Sequence, residues 1–139
     1  MNKSVVDERA KTAYDFVKKV YSRENGKKKE FRSYVNKMPA MILRNGLGNA
    51  VAFACEKGWT DLLKAIQKWL TNKNCPLFDE KFSKNTTENC TLENNALVQR
   101  IFNSNAEEYR ALTDEILAYL NWLRRFAVAL LKDEEEQEK

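Results

Sequence analysis

The chain of 139 residues is 43% hydrophobic and 32% charged, carries a formal charge of +4 and contains no histidine. That length suits one domain with a single core, and four glycines with two prolines leave a many-stranded sandwich short of reversals and a Gly-rich phosphate loop short of glycine. Without histidine the commonest general base and metal ligand are missing, which excludes Ser and Cys nucleophiles activated by histidine within the chain.

The predicted elements are helical almost throughout. Val6, Ala10, Ala13, Val17 and Val20 step by four and three, one stripe of a first helix. Ser4 followed by Asp7 approximates a capping box, and the start of the chain leads into this charged amphipathic stretch rather than an apolar signal core. Glu24-Asn25-Gly26 reads as a helix stop. A second helix is expected from about Lys27, with Pro39 imposing a kink or a fresh start. The segment 39–54 is the most apolar and is crowded with small residues (Gly46, Gly48, Ala50, Ala52, Ala54), which marks it as the centre of the fold, ended by Gly58. Thr60-Asp61 restart a helix with Leu62, Leu63, Ile66, Trp69 and Leu70 on its apolar face.

Residues 71–95 hold six asparagines and four threonines, a long loop with a short helical turn expected around 78–82. Thr91 is positioned to cap a helix containing Leu92, Ala96, Leu97, Ile101 and Phe102. Tyr109, Leu112, Ile116, Tyr119, Leu120, Leu123, Ala127 and Leu130 keep helical spacing in a last helix over 106–132, ~40 Å long at ~1.5 Å per residue. No period-two strand pattern is present. The expectation is all-α: a single compact helical bundle of about five to six helices over 1–132 with a long C-terminal helix, followed by an acidic tail, 133–139, expected to fray.

Cys55, Cys75 and Cys90 form no CxxC, so neither a zinc knuckle nor a redox dithiol is suggested. Cys55 reads as a small buried filler, and Cys75 with Cys90 could close a loop in an oxidising compartment. Asn85-Thr86-Thr87 and Asn89-Cys90-Thr91 match the glycosylation acceptor pattern, which without an export signal indicates an exposed loop. The apolar run 50–55, which no run in the chain exceeds, is far below the ~20 residues of a membrane span. These features point to a soluble, cytoplasmic protein without a membrane segment, cofactor or metal.

The charge is uneven. Residues 1–46 balance to +7, residues 47–105 to +1 and residues 106–139 to −4, which directs the N-terminal third towards a polyanion or acidic partner. The densest cluster is Lys18, Lys19, Arg23, Lys27, Lys28, Lys29 and Arg32, interleaved with Tyr21, Phe31 and Tyr34. Lysines that track phosphates and rings that stack bases make up single-strand binding surfaces; equally, lysines coat solvated helix faces while Phe31 and Tyr34 serve the core. In Trp122-Leu123-Arg124-Arg125-Phe126, Leu123 and Phe126 can pack inward, while Arg124 and Arg125 can clamp a phosphate or pair with Asp114, Glu115 or the terminal acids. Glu107, Glu108 and Tyr109, or Asp114 and Glu115, supply carboxylates as any soluble helix does, and no spacing singles out a catalytic set.

Two segments together resemble a known family. Met38-Pro39-Ala40-Met41-Ile42-Leu43-Arg44-Asn45-Gly46-Leu47-Gly48-Asn49-Ala50-Val51-Ala52-Phe53 combines Pro, an apolar turn, Asn-Gly-Leu and Ala-x-Ala-Phe. Glu108-Tyr109-Arg110 and Tyr119-Leu120-x-Trp122-Leu123-x-Arg125-Phe126-Ala127 follow in the last helix. Both are similar to the small helical subunit of the Cmr-type (type III-B) CRISPR RNA-guided effector complex, and the likeness covers essentially the whole chain except the 71–95 loop and the tail. The resemblance implies a non-catalytic protein, stacked in several copies in the inner filament beside backbone subunits that hold guide RNA. It further implies contact with the large subunit at one end and with the target RNA strand. Arg44 and Arg125, inside the resembling segments, become the leading RNA-contact candidates, with Lys18, Lys19, Arg23, Lys27, Lys28, Lys29 and Arg124 carried by charge alone. A basic and an acidic end would favour open head-to-tail stacking. The alternative is a helical adaptor that binds an acidic protein through the same lysines.

Overall fold

A computed structural model of the chain describes residues 4–86 and 95–132, which form seven helices and no strand. Helix α1 (Val5–Tyr21) begins where the Ser4 side chain accepts the Asp7 N–H at 3.2 Å, the first half of the expected capping box. It ends at Ser22, so Asn25-Gly26 is not a stop but the first turn of α2 (Asn25–Asn45). Nor does Pro39 divide α2: the helix runs through it. Proline forfeits one backbone hydrogen bond there, but Val35, Met38 and Ile42 on the same face are buried in the core, and that packing outweighs the local preference.

The break falls at Gly46, where φ is +88°, a conformation that favours glycine. The segment expected as one element is therefore two, α2 and α3 (Leu47–Lys57). Gly58 ends α3 in the left-handed conformation, as its position implied. Helix α4 (Thr60–Leu70) buries Leu62, Leu63, Ile66, Trp69 and Leu70. Within the loop, α5 (Glu80–Asn85) lies slightly beyond the expected turn because the Asp79 carboxylate accepts the Phe82 N–H at 2.9 Å. Asn95 caps α6 (Ala96–Phe102); Thr91 and Leu92 lie outside the described residues. So do Cys90, with its pairing to Cys75 and the Asn89 acceptor, and the 133–139 tail. Cys55 is half-buried, not fully buried as expected, and accepts a long contact from Asn95 Nδ2 at 3.5 Å. Cys75 is buried, and that burial pushes its thiol pKa up.

Helix α7 (Ala106–Leu130) opens on a reciprocal capping box between Asn105 and Glu108 and contacts α1, α2 and α4. Arg9 meets Glu115, and Tyr14 meets Phe126. The contacts advance together, so α1 and α7 run in the same direction. Arg9 lies over the Trp69 ring while Arg23 pairs with Asp61, which sets α4 antiparallel to α1. At the start of α7, the Tyr109 hydroxyl accepts the Gly48 N–H at 2.9 Å, satisfying a donor of the first turn of α3.

One carboxylate joins three helices. Glu115 accepts from Arg9 Nη2 at 2.8 and 2.9 Å and from Arg9 Nε at 3.2 Å, and its Oε1 also accepts the Trp69 indole N–H at 2.9 Å. Arg9 and Glu115 side chains are only 13% and 12% exposed. Beside them the Trp69 and Tyr119 rings stack at 6.0 Å, and the Tyr119 hydroxyl is buried with no hydrogen-bond partner among the described residues. Two stability predictions follow from these contacts. Glu115→Ala strands a buried guanidinium and indole and should cost ~3 kcal/mol, whereas Arg9→Ala in that background should cost little more; a double-mutant cycle by urea unfolding measures the coupling. Tyr119→Phe removes an unsatisfied buried hydroxyl and should raise stability by ~1 kcal/mol, read as a higher Tm.

Candidate nucleic-acid interface

Three adjoining depressions run along α4, the first two against α1 and the last against α2. The first, of about 140 Å³, includes Glu8, Lys11, Asp15, Lys19 and Lys68 in its lining. The last, of about 270 Å³, includes Arg23, Lys27, Glu30, Asp61 and Lys64. Between them lies the widest, about 430 Å³, lined by Phe16, Lys19, Arg23, Lys64, Gln67, Lys68, Thr71 and Thr86. Shared linings make the three one groove, with carboxylates at both ends and, among the described residues, four cations but no carboxylate lining the middle.

Lys19 on α1 and Arg23 in the α1–α2 connection line one side of this middle section, and Lys64 and Lys68, four apart on α4, line the other. Like charges four apart on one helix repel by ~0.2–0.5 kcal/mol, a cost that applies to Lys64 and Lys68 on α4. Arg23 is partly neutralised by Asp61 at 2.6 Å. Among the described residues Lys19, Lys64 and Lys68 have no ion pair.

The structure brings Lys19, Arg23 and Lys27 together and adds Lys64, Lys68 and Lys11, which charge density alone did not single out. The overlooked signal was the four-residue spacing of Lys64 and Lys68 on the polar side of an otherwise buried helix. Lys18 and Lys28 are held over the Tyr14 and Tyr21 rings at 5.6 and 4.7 Å; Lys29 is exposed. Arg44 is exposed in the last turn of α2, roughly 26 Å along the helix from Lys27 at 1.5 Å per residue. Arg124 and Arg125 are both exposed, and adjacent helix positions point them ~100° apart; Arg125 lies over Trp122 at 5.8 Å. Glu115, considered as a partner for these arginines, is instead committed to Arg9.

Two of the interleaved rings serve packing. Phe31 is 1% exposed, and Tyr34 stacks on Trp59 with ring centroids 4.5 Å apart. Desolvation, with the nearby Glu30 charge, pushes the Tyr34 pKa up. The charge gradient also takes a different form in space: the basic α1 and α2 pack directly against α7, and the −4 of the last third falls entirely within 133–139.

With an all-helical bundle, the Gly46 break and the long α7 in place, comparison with known families is decisive. The family model described as CRISPR-associated protein (Cas_Cmr5) matches residues 6–130. The chain belongs to the Cas_Cmr5 family. It is a small subunit of the Cmr-type CRISPR-associated proteins, and the matched span takes in both resembling segments and every described helix except the first residue of α1. Among the described residues no helix is long and apolar enough to cross a membrane, and no cluster of metal-ligating side chains occurs.

If the groove meets phosphates, Lys64→Gln with Lys68→Gln should lower the slope of log K against log salt for single-stranded RNA by ~1.4, at ~0.7 per phosphate. Anisotropy titrations over a salt series measure it, with circular dichroism as the folding control. An unchanged slope removes both lysines from the interface.

Proposed function

We propose that this Cmr-family subunit is a non-catalytic structural component of the effector complex that stacks in the inner filament and lines the path of the target RNA. The family match carries the Cmr assignment, and the single observation favouring an RNA-facing role is the groove section whose lining, among the described residues, holds four cations and no carboxylate. Phosphates are the ligand such a section suits: Lys19 and Lys68 are exposed, Lys64 is half-buried, and the polar Gln67 and Thr71 complete the lining. In such an assembly sequence is read by base pairing, and a protein that holds the backbone needs positive charge without base-specific contacts. Neighbouring copies, the backbone subunits and the large subunit are the partners proposed, and the cytoplasm is the compartment.

Arg44 and Arg125 stand apart from the groove. In this reading they mark further points of contact along the strand, one at the end of α2 and one on α7. Stacking of copies through opposite charge depends on 133–139, where the acidic excess resides.

Co-purification of the tagged subunit should recover a ribonucleoprotein that contains short guide RNA. In that assembled complex, Arg44→Glu and Arg125→Glu should each weaken target-RNA capture several-fold without loss of subunit incorporation, because both side chains are exposed. Capture at the wild-type level would remove them from the RNA contacts. Deletion of 133–139 should reduce self-association at low salt, measured by analytical ultracentrifugation.

A further inference from the structure

On the flank of α1 away from α4, three rings form a continuous strip. The Tyr14 ring meets Phe126 edge-on at 5.4 Å, and Phe126 stacks on Trp122 at 5.9 Å. Lys18 lies over Tyr14 at 5.6 Å at one end, and Arg125 over Trp122 at 5.8 Å at the other. One turn-pair further along α1, Tyr21 repeats the pattern under Lys28 at 4.7 Å. Tyr14 and Tyr21 are 39% and 51% exposed, and Phe126 and Trp122 are half-buried.

A seam between two helices can be sealed by apolar side chains alone. This one is instead built from rings that remain partly open to solvent, each terminal ring carrying a cation. Among the described residues Lys18, Lys28 and Arg125 have no ion pair, so their charge is held by ring faces and remains uncompensated. The complementary ligand therefore combines flat π faces with regularly spaced negative charge. Single-stranded nucleic acid has both, and an arginine plane or an aromatic ring supports a base equally well.

We propose that the Tyr14–Phe126–Trp122 strip, with Lys18 and Arg125, is a stacking platform for unpaired bases of single-stranded RNA. The proposal rests on the RNA-facing reading above and adds base contact to it: the α1–α4 groove holds phosphates, and the opposite flank of the same helix takes bases. Lys11 and Lys18, on the solvent ridge of α1, connect the two surfaces. Such a platform is tolerant of sequence, because every base presents a π face.

The test compares a labelled oligoadenylate with an abasic phosphodiester strand of the same length, each titrated against the full chain over a salt series. The expected result is about tenfold tighter binding of oligoadenylate, in line with the stacking of one base. In Tyr14→Leu and in Trp122→Leu, which keep an apolar neighbour for Phe126 but lose a ring, that preference should disappear while the salt slope stays unchanged. Tyr14→Phe should retain it. Because Tyr14 is exposed, Tyr14→Leu decides the matter even if Trp122→Leu does not fold. Equal binding of the two strands by the unmodified chain would overturn the platform and leave the phosphate groove standing. A base preference that survives both leucine variants would overturn it too, placing the base contact elsewhere on the chain. Binding of neither strand would remove the groove and the platform together.

Discussion

The Glu115 carboxylate is the contact on which the arrangement of the other helices depends. It sits on α7, accepts from Arg9 of α1 and from Trp69 of α4, and its side chain is only 12% exposed. A carboxylate of this kind sets register more than it adds net stability, because desolvating the pair costs nearly what their attraction returns. Its consequence is geometric. With Arg9 and Trp69 pinned at one end of the α1–α4 seam and Arg23 paired with Asp61 at the other, Lys19 faces Lys64 and Lys68 across a groove held open between two clamps. Both clamps are ionic, and among the described residues the cations between them are not offered a carboxylate. A seam selected for stability alone would place an acid opposite each lysine, as it does for Arg23. The exception is confined to the middle section, where the lining carries charge of one sign.

The second constraint is the approach of backbone to side chain at the α2–α3 break. Gly46 takes a positive φ, and a Cβ there would stand 3.3 Å from the Tyr109 hydroxyl. A Cβ on Gly48 would stand 3.0 Å from the Phe102 ring. The two glycines let α3 turn away from α2 and let Tyr109 reach the Gly48 N–H, so the start of α7 is tied to the end of α2. This explains in physical terms why Asn45-Gly46-Leu47-Gly48 and Glu108-Tyr109-Arg110, distant in sequence, belong to one pattern: the first supplies the bend and the free donor, and the second supplies the acceptor.

Much of this was legible in the residues, and the exceptions have definite causes. The stripes of α1, α4 and α7 were plain because each buries a face at helical spacing, and Gly58 acts as punctuation where its local chemistry says it should. Pro39 misled because a proline's local cost is fixed while the burial of Val35, Met38 and Ile42 around it is visible only in the fold. Asn25-Gly26 misled in the opposite direction, since a sequence that can stop a helix can also begin one. Of the basic cluster, density along the chain located Lys19, Arg23 and Lys27 but not their counterparts on α4, because a groove is made by two elements. Phe31 and Tyr34 looked like candidate stacking rings by proximity to lysines; burial against Phe16 and Trp59 gives them to the core. The rings that do stay open, Tyr14 and Phe126, are more than 100 positions apart, and nothing in the local sequence of either announces the other.

The two surfaces of α1 also separate the RNA-facing reading from that of an adaptor for an acidic protein. An acidic peptide needs positive charge and little else, and the groove alone would satisfy it. The opposite flank has no use in that scheme: Lys18 and Arg125 are kept on ring faces, where a cation retains its charge while shielding a flat surface that another flat group can replace or cover. A ligand that uses both flanks must present anionic groups and planar groups in alternation along one flexible strand. That description fits a single-stranded nucleic acid, and under the proposed reading the groove and the strip are parts of one surface around α1, above the Glu115 carboxylate that joins α1, α4 and α7.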